Sequence, residues 1–198
     1  MKKLAASMFF LACAPQTISA QEFSFGAQMS LALPMGDAGE KDILNHRPGF
    51  GLGLHGLWNF YPGHALVPRI DITLFQRDRN GNDVLAGPFK DSITLKDIKV
   101  GVDYNITINN AGLYGIAGAG YSSFEWAIEW PASTNSGLAR ETKGGLYLSA
   151  GAGYVMTKHF IAEVRYSHAA YSGVGSSLGA AGRTFTAPAL AVSLLWRY

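Results

Sequence analysis

Cysteine is almost absent from this chain: the only one, Cys13, falls within the first twenty residues. That leaves no disulfide framework and no thiolate metal site to build on. Long apolar runs are missing too. Nothing after residue 20 approaches the roughly 20 consecutive apolar residues that a membrane-spanning helix needs. Charge is sparse, at 15% of residues, and neither sign dominates. Lys2 and Lys3 belong to the leader, and beyond them fourteen basic residues meet fourteen acidic ones. A neutral chain lacks the basic footprint of a nucleic-acid binder.

Metal and nucleotide motifs are also lacking. His46, His55, His64, His159 and His168 are scattered, with no HxH or HExxH spacing, so no metal site is expected. The run Asp78-Arg79-Asn80-Gly81-Asn82-Asp83 lacks the closing glutamate of a calcium loop and reads as a surface turn. Gly151-Ala152-Gly153 and Gly173-Val174-Gly175 precede neither a lysine nor a helical pattern. They are not phosphate cradles, and no cofactor is implied.

What is present begins with an export leader. Lys2 and Lys3, the apolar stretch Leu4 to Ala12, and Ile18-Ser19-Ala20 before Gln21 have the layout of a cleaved signal peptide. A lipoprotein acylated on Cys13 is the alternative, but Phe10-Leu11-Ala12 matches its usual approach poorly. Residues 1–20 are therefore set aside and 21–198 taken as one domain.

That domain has a period of two, the mark of strands. Eight runs carry it, at about 22–33, 48–60, 65–76, 92–105, 112–126, 142–157, 159–169 and 184–198. In the last, Leu190, Val192, Leu194, Trp196 and Tyr198 oppose Ala189, Ala191, Ser193, Leu195 and Arg197. Phe160, Ala162, Val164 and Tyr166 likewise oppose Glu163, Arg165 and Ser167. In the fifth run Gly115, Gly118 and Gly120 leave the facing undecided. Connections alternate between short (61–64, 106–111, 157–158) and long (34–47, 77–91, 127–141, 170–183). Short periplasmic turns, long extracellular loops and an even strand number characterise outer-membrane barrels. Ten residues rising ~3.3 Å each, tilted ~45°, span roughly 23 Å, near the ~25 Å apolar band of such barrels. Aromatics fit interfacial girdles: Trp58, Phe60, Tyr104, Tyr114, Trp196 and Tyr198 towards the short turns, Phe75 and Phe185 towards the long loops. The expected fold is all-β, an eight-stranded antiparallel up-and-down transmembrane β-barrel.

A soluble ligand-binding barrel would place the apolar face inward. Against it, the polar face mixes isolated charges with Gly, Ala and Ser, which suits a narrow interior better than a solvated exterior. On the membrane reading Arg69, Asp71, Lys99, Asp103, Glu163, Arg165 and Arg197 point into the lumen and should pair across strands. Such a network either plugs the barrel or lines a gated polar path.

Three stretches resemble a known family, the small outer-membrane barrels typified by the transmembrane domain of outer-membrane protein A. They are Gly144-Gly145-Leu146-Tyr147-Leu148-Ser149-Ala150-Gly151-Ala152-Gly153-Tyr154, Phe160-Ile161-Ala162-Glu163-Val164-Arg165-Tyr166-Ser167-His168, and the closing Leu194-Leu195-Trp196-Arg197-Tyr198. The resemblance implies an outer-membrane location in a Gram-negative envelope. It also implies contact with lipid and lipopolysaccharide, and delivery by the barrel-assembly machinery. Family members usually end in Phe, where this chain has Tyr198; with no room for a peptidoglycan-binding domain after the barrel, tethering to the cell wall is not expected. Related eight-stranded lipid A deacylases use a His-x-Ser-Asn stretch. Here His168 is followed by Ala169-Ala170-Tyr171, so the nucleophile that the base must reach is missing and no enzyme is expected. The leading function is structural or surface-interacting, with extracellular partners met through the four long loops. A small pore or carrier is the alternative. Trp126, Trp130 and Pro131 are candidates for a sticky edge extending the fifth strand above the membrane.

Overall fold

Alternating apolar and small or polar residues give nine strands and one helical turn among the described residues. The computed structural model describes residues 23–83, 87–108, 112–130, 137–174 and 183–198, with side chains at 23–78, 91–108, 112–129, 140–174 and 184–198. The leader lies outside them, as do Pro131 and the side chain of Trp130. The elements are β1 (Phe23–Pro34), α1 (Gly36–Gly39), β2 (Gly49–Tyr61), β3 (His64–Asp83), β4 (Gly87–Thr107), β5 (Leu113–Trp130), β6 (Gly137–Val155), β7 (Phe160–Val174), β8 (Arg183–Thr186) and β9 (Ala189–Arg197).

Each strand from β1 to β7 pairs antiparallel with the next, and β9 lies between β7 and β1, closing the ring. β8 and β9 share one position in the wall, so the barrel has eight strands. They are separated at Ala187-Pro188, where proline has no N–H for the ladder. Among the described residues no helix is long and apolar enough to cross a membrane.

The wall has two faces of opposite chemistry. Leu31, Leu52, Leu54, Ile70, Val100, Leu146, Leu148 and Val192 all point outward, with Leu146 79% and Leu148 66% exposed. An apolar belt this extensive has no place on a protein surrounded by water, and it excludes the inward-apolar alternative. β5 takes a definite facing: Tyr114, Ile116, Ser122 and Phe124 are buried on its inner side. The short connections are tight. At Pro62-Gly63, glycine holds φ +78°, which a type II turn requires at its third residue. Thr157 Oγ1 accepts from the amides of His159 (3.2 Å) and Phe160 (3.0 Å) at the last turn.

The other end departs from expectation. Two stretches read as loops, 77–91 and 127–141, are largely strand. The β3–β4 ladder continues to Asp83↔Gly87 and the β5–β6 ladder to Trp130↔Gly137. Above the apolar belt no lipid selects an apolar outer face, so backbone pairing persists while the period-two signal fades. Among the described residues the β2–β3 ladder stops at Phe50↔Leu74 and the β6–β7 ladder at Tyr147↔Ala169. β3 to β6 therefore rise as a four-stranded sheet beyond their neighbours.

Candidate functional site

The lumen is filled in layers. Beneath the long-hairpin end, Phe75, Ile93, Leu95, Phe124, Tyr171 and Phe185 point inward and are buried. Ring centroids of Phe124 lie 5.0 Å from Tyr171 and 5.3 Å from Phe185. The segment after β1 folds down onto this layer. Ala38, Ile43 and Leu44 are buried against it, and the Asp37 carboxylate accepts from Thr186 N (2.6 Å) and Thr186 Oγ1 (2.8 Å). Arg77 donates to the carbonyl of Ile43 at 3.0 Å, holding the same segment from the β3 side. Phe75 and Phe185, expected in an outer girdle, belong instead to this plug. Trp126 packs on Phe185 with centroids 5.6 Å apart, so its ring serves the plug and not an exposed edge.

Below the plug lies the ion layer. Arg69 Nε is 2.9 Å from Asp103 Oδ2, and Arg69 Nη2 is 3.4 Å from Glu163 Oε2. Arg165 pairs with Glu163 and lies 3.6 Å from Asp71 and 3.5 Å from Asp103. Five of the seven residues expected in the lumen network thus meet in one cluster: Arg69, Asp71, Asp103, Glu163 and Arg165. Lys99 and Arg197 do not join it. Lys99 Nζ turns up the barrel to Asp97 (2.8 Å) and Ser167 Oγ (3.1 Å). Arg197 sits at the short-turn mouth, where Nη2 donates to the Lys158 carbonyl at 3.3 Å.

Sequence reading missed several members. Gln28 donates to Asp71 (2.5 Å) and accepts from Arg69 (3.3 Å). Ser149 donates to Asp103 at 3.2 Å. Tyr114, expected in the outer girdle, faces inward and donates to Glu163 Oε1 at 2.7 Å. Asp97 accepts from Ser122, whose oxygen lies 2.7 Å from the Tyr171 hydroxyl. These links matter because ions taken out of water cost several kcal/mol each unless their remaining hydrogen-bond sites are filled.

A sequence signal for the cluster does exist. Each of its charges stands directly across the ladder from a glycine: Arg69↔Gly101, Asp71↔Gly53, Asp103↔Gly118, Glu163↔Gly153 and Arg165↔Gly151. A methyl on Gly53 would strike the Asp71 carboxylate, and one on Gly118 the Asp103 carboxylate. Inward glycines make the room that the ions occupy.

Among the described residues no group of three His, Cys, Asp or Glu side chains is placed to hold a metal ion. His168 lies on the outward face of β7, as its position in the sequence suggested.

The model of the outer membrane protein beta-barrel domain matches residues 4–197. The chain belongs to that family. It is an integral protein of the Gram-negative outer membrane, and its long hairpins accordingly face outward from the cell and its short turns the periplasm. Solved structures agree on the fold of this outer-membrane barrel. A major outer membrane protein from Thermus thermophilus is 11% identical, with a TM-score of 0.66, covering 89% of this chain and 100% of that one. Ail, the attachment invasion locus protein of Yersinia pestis, solved with the heparin analogue sucrose octasulfate, is 13% identical, with a TM-score of 0.59 and coverage of 90% and 99%. Neisserial surface protein A is 13% identical, with a TM-score of 0.52 and coverage of 88% and 95%. At the level of the family such relatives are non-enzymatic barrel proteins. No curated protein sequence matches the chain.

Proposed function

We propose that this barrel is a sealed scaffold whose role is carried outside the membrane, by the sheet of β3 to β6 and the segment after β1, in envelope structure and surface interaction. The observation that carries the reading is the aromatic plug. Phe75, Phe124, Tyr171 and Phe185 fill the lumen under the outer mouth, and the ion layer closes it again below. A polar solute has no axial path past both. The alternative, a small pore, would need both layers to move together.

Planar-bilayer recording tests the reading. Silence from the native protein is expected. Discrete steps that change in Arg165→Ala would overturn it in favour of a pore. Surface interaction is tested separately by shortening the 77–91 and 127–141 hairpins, which should abolish cell-surface adhesion while the heat-modifiable barrel still assembles.

The binding of a heparin analogue by Ail raises the question of a polyanionic partner. The charge pattern here argues for a less acidic one. Arg140 lies 3.0 Å from Glu125 and Lys143 3.0 Å from Glu141, so these two cations of the projecting sheet are already paired. Within the membrane the outward belt meets lipid and lipopolysaccharide, and the closing strand through Tyr198 is the segment offered to the barrel-assembly machinery. Cleavage after Ala20 would deliver the mature barrel from Gln21, and the mass of the membrane-inserted protein tests it.

A further inference from the structure

The β2–β3 ladder has a gap near its periplasmic end. Its register runs through His55↔Arg69 and resumes at Trp58↔Leu66, and no pair forms between Gly56-Leu57 and Val67-Pro68. Each side is held instead by its other neighbour, Gly56 by Phe25 of β1 and Pro68 by Val102 of β4. Pro68 accounts for the gap, since proline has no N–H to give to a ladder. The outer surface is thin at the same point. Gly56 brings no side chain, and the ring of Phe23 covers it, with Cζ 3.1 Å from where a methyl would stand. Leu54 and Ile70, 65% and 50% exposed, continue the lipid-facing belt directly above. The gap therefore faces hydrocarbon.

Behind it, at the periplasmic mouth, lies a cavity of about 150 Å³. Leu57 and Val67, the inward members of the gap, line it together with Ile161 and Leu195. We propose that this cavity takes an acyl chain of a phospholipid from the periplasmic leaflet, admitted sideways between β2 and β3. Charge disfavours ionic occupants. The ion layer at the inner end sets Asp71, Asp103 and Glu163 against Arg69 and Arg165, which repels an anion. Arg197 at the rim repels a cation. A neutral chain meets neither obstacle, and the four aliphatic side chains offer water no hydrogen-bond partner. A dry cavity of this volume holds about six carbon atoms, the size of benzene. It thus receives a stretch of chain while the headgroup stays in the bilayer. With the ion layer above, the chain is held in the wall and not passed across the membrane.

The test uses the full barrel, deuterated and methyl-protonated at leucine and valine, in nanodiscs of dimyristoyl phosphatidylcholine. Nuclear Overhauser contacts from chain protons to the inward methyls of Val67 and Leu195 are expected, and should vanish when the lipid chains are deuterated. Leu54 on the lipid face is the positive control, and Leu95, inward within the plug, reports any transfer through the wall. Pro68→Ala restores the missing N–H and should lose the contacts at Val67 and Leu195 while Leu54 keeps its own. Phe23→Ala uncovers Gly56 and should strengthen them, and it replaces Pro68→Ala if that variant loses its heat-shift. Contacts to water alone at Val67 and Leu195 would overturn the proposal. Chain contacts that survive unchanged in Pro68→Ala would overturn it equally, placing entry at the open mouth and not at the gap.

Discussion

At the extracellular end the lumen is packed with the rings of Phe75, Phe124, Tyr171 and Phe185. At the periplasmic end the same eight strands leave a cavity of about 150 Å³. Strand number is common to both ends, so it does not explain the difference. The connections do. The segment after β1 is long enough to turn back and lay Leu44 over the rings, which keeps that end dry and lets apolar side chains fill it. The periplasmic turns at Pro62-Gly63 and Thr157-Lys158 are too short to reach inward, so that end stays open and its lining mixes aliphatic side chains with His55, Asn105 and Arg197. A small barrel is sealed where its loops are long and left open where they are short.

The contrast can be broken from the middle outward. Arg69→Met should have the largest effect, because it strands Asp103 and Glu163 without their principal cation. Breaking a buried ion pair on one side costs about 3–5 kcal/mol, read as a lower urea midpoint for loss of the heat-modifiable band. Phe185→Ala removes a ring from the plug and should cost about 3–4 kcal/mol. Bilayer recordings of that variant should remain silent, since the ion layer still closes the lumen, and conductance should appear only when Arg165→Ala is added. Asp37→Ala frees the folded-back segment from Thr186 and should cost about 1–2 kcal/mol, with faster protease nicking between residues 36 and 47. Arg140→Ala, on the exposed sheet, should change stability by about 0.5 kcal/mol or less in the same urea assay. An Arg140 effect as large as that of Asp37 would mean that the projecting sheet is coupled to the plug.

Legibility in the sequence follows the solvent. Where one face meets lipid and the other a packed lumen, alternation is strong, and β1, β2, β7 and β9 lie within a few residues of where the pattern places them. Above the belt, at Arg77-Asp78 in β3 or Arg140-Glu141 in β6, no lipid selects an apolar outer face and the strands read as loops. Tyr114 reads as an outer-girdle residue because an aromatic near a turn suits an interface, and the neighbouring glycines hide which side of β5 is buried. The central ions are legible as inward charges. That Lys99 and Arg197 leave the cluster is not, because their partners, Asp97 and the Lys158 carbonyl, are set by height along the barrel axis, which periodicity does not report.

The glycines opposite the ions also bear on how the barrel settles its geometry. Alternation forbids a slip of one residue between strands, since every side chain would change face, but it is silent about a slip of two. Here the two-residue slip is excluded by volume and charge. Moving β4 by two against β3 would set Arg69 opposite Lys99 in one direction and opposite the bulk of Asp103 in the other, with no glycine to receive it. Asp71 against β2 is locked in one direction only, where the slip replaces Gly53 by His55; in the other it meets a second glycine, Gly51. Register summed around the ring is the shear, and shear with strand number fixes strand tilt and barrel radius. The width of this barrel is thus encoded in the spacing between its inward glycines and the charges that face them.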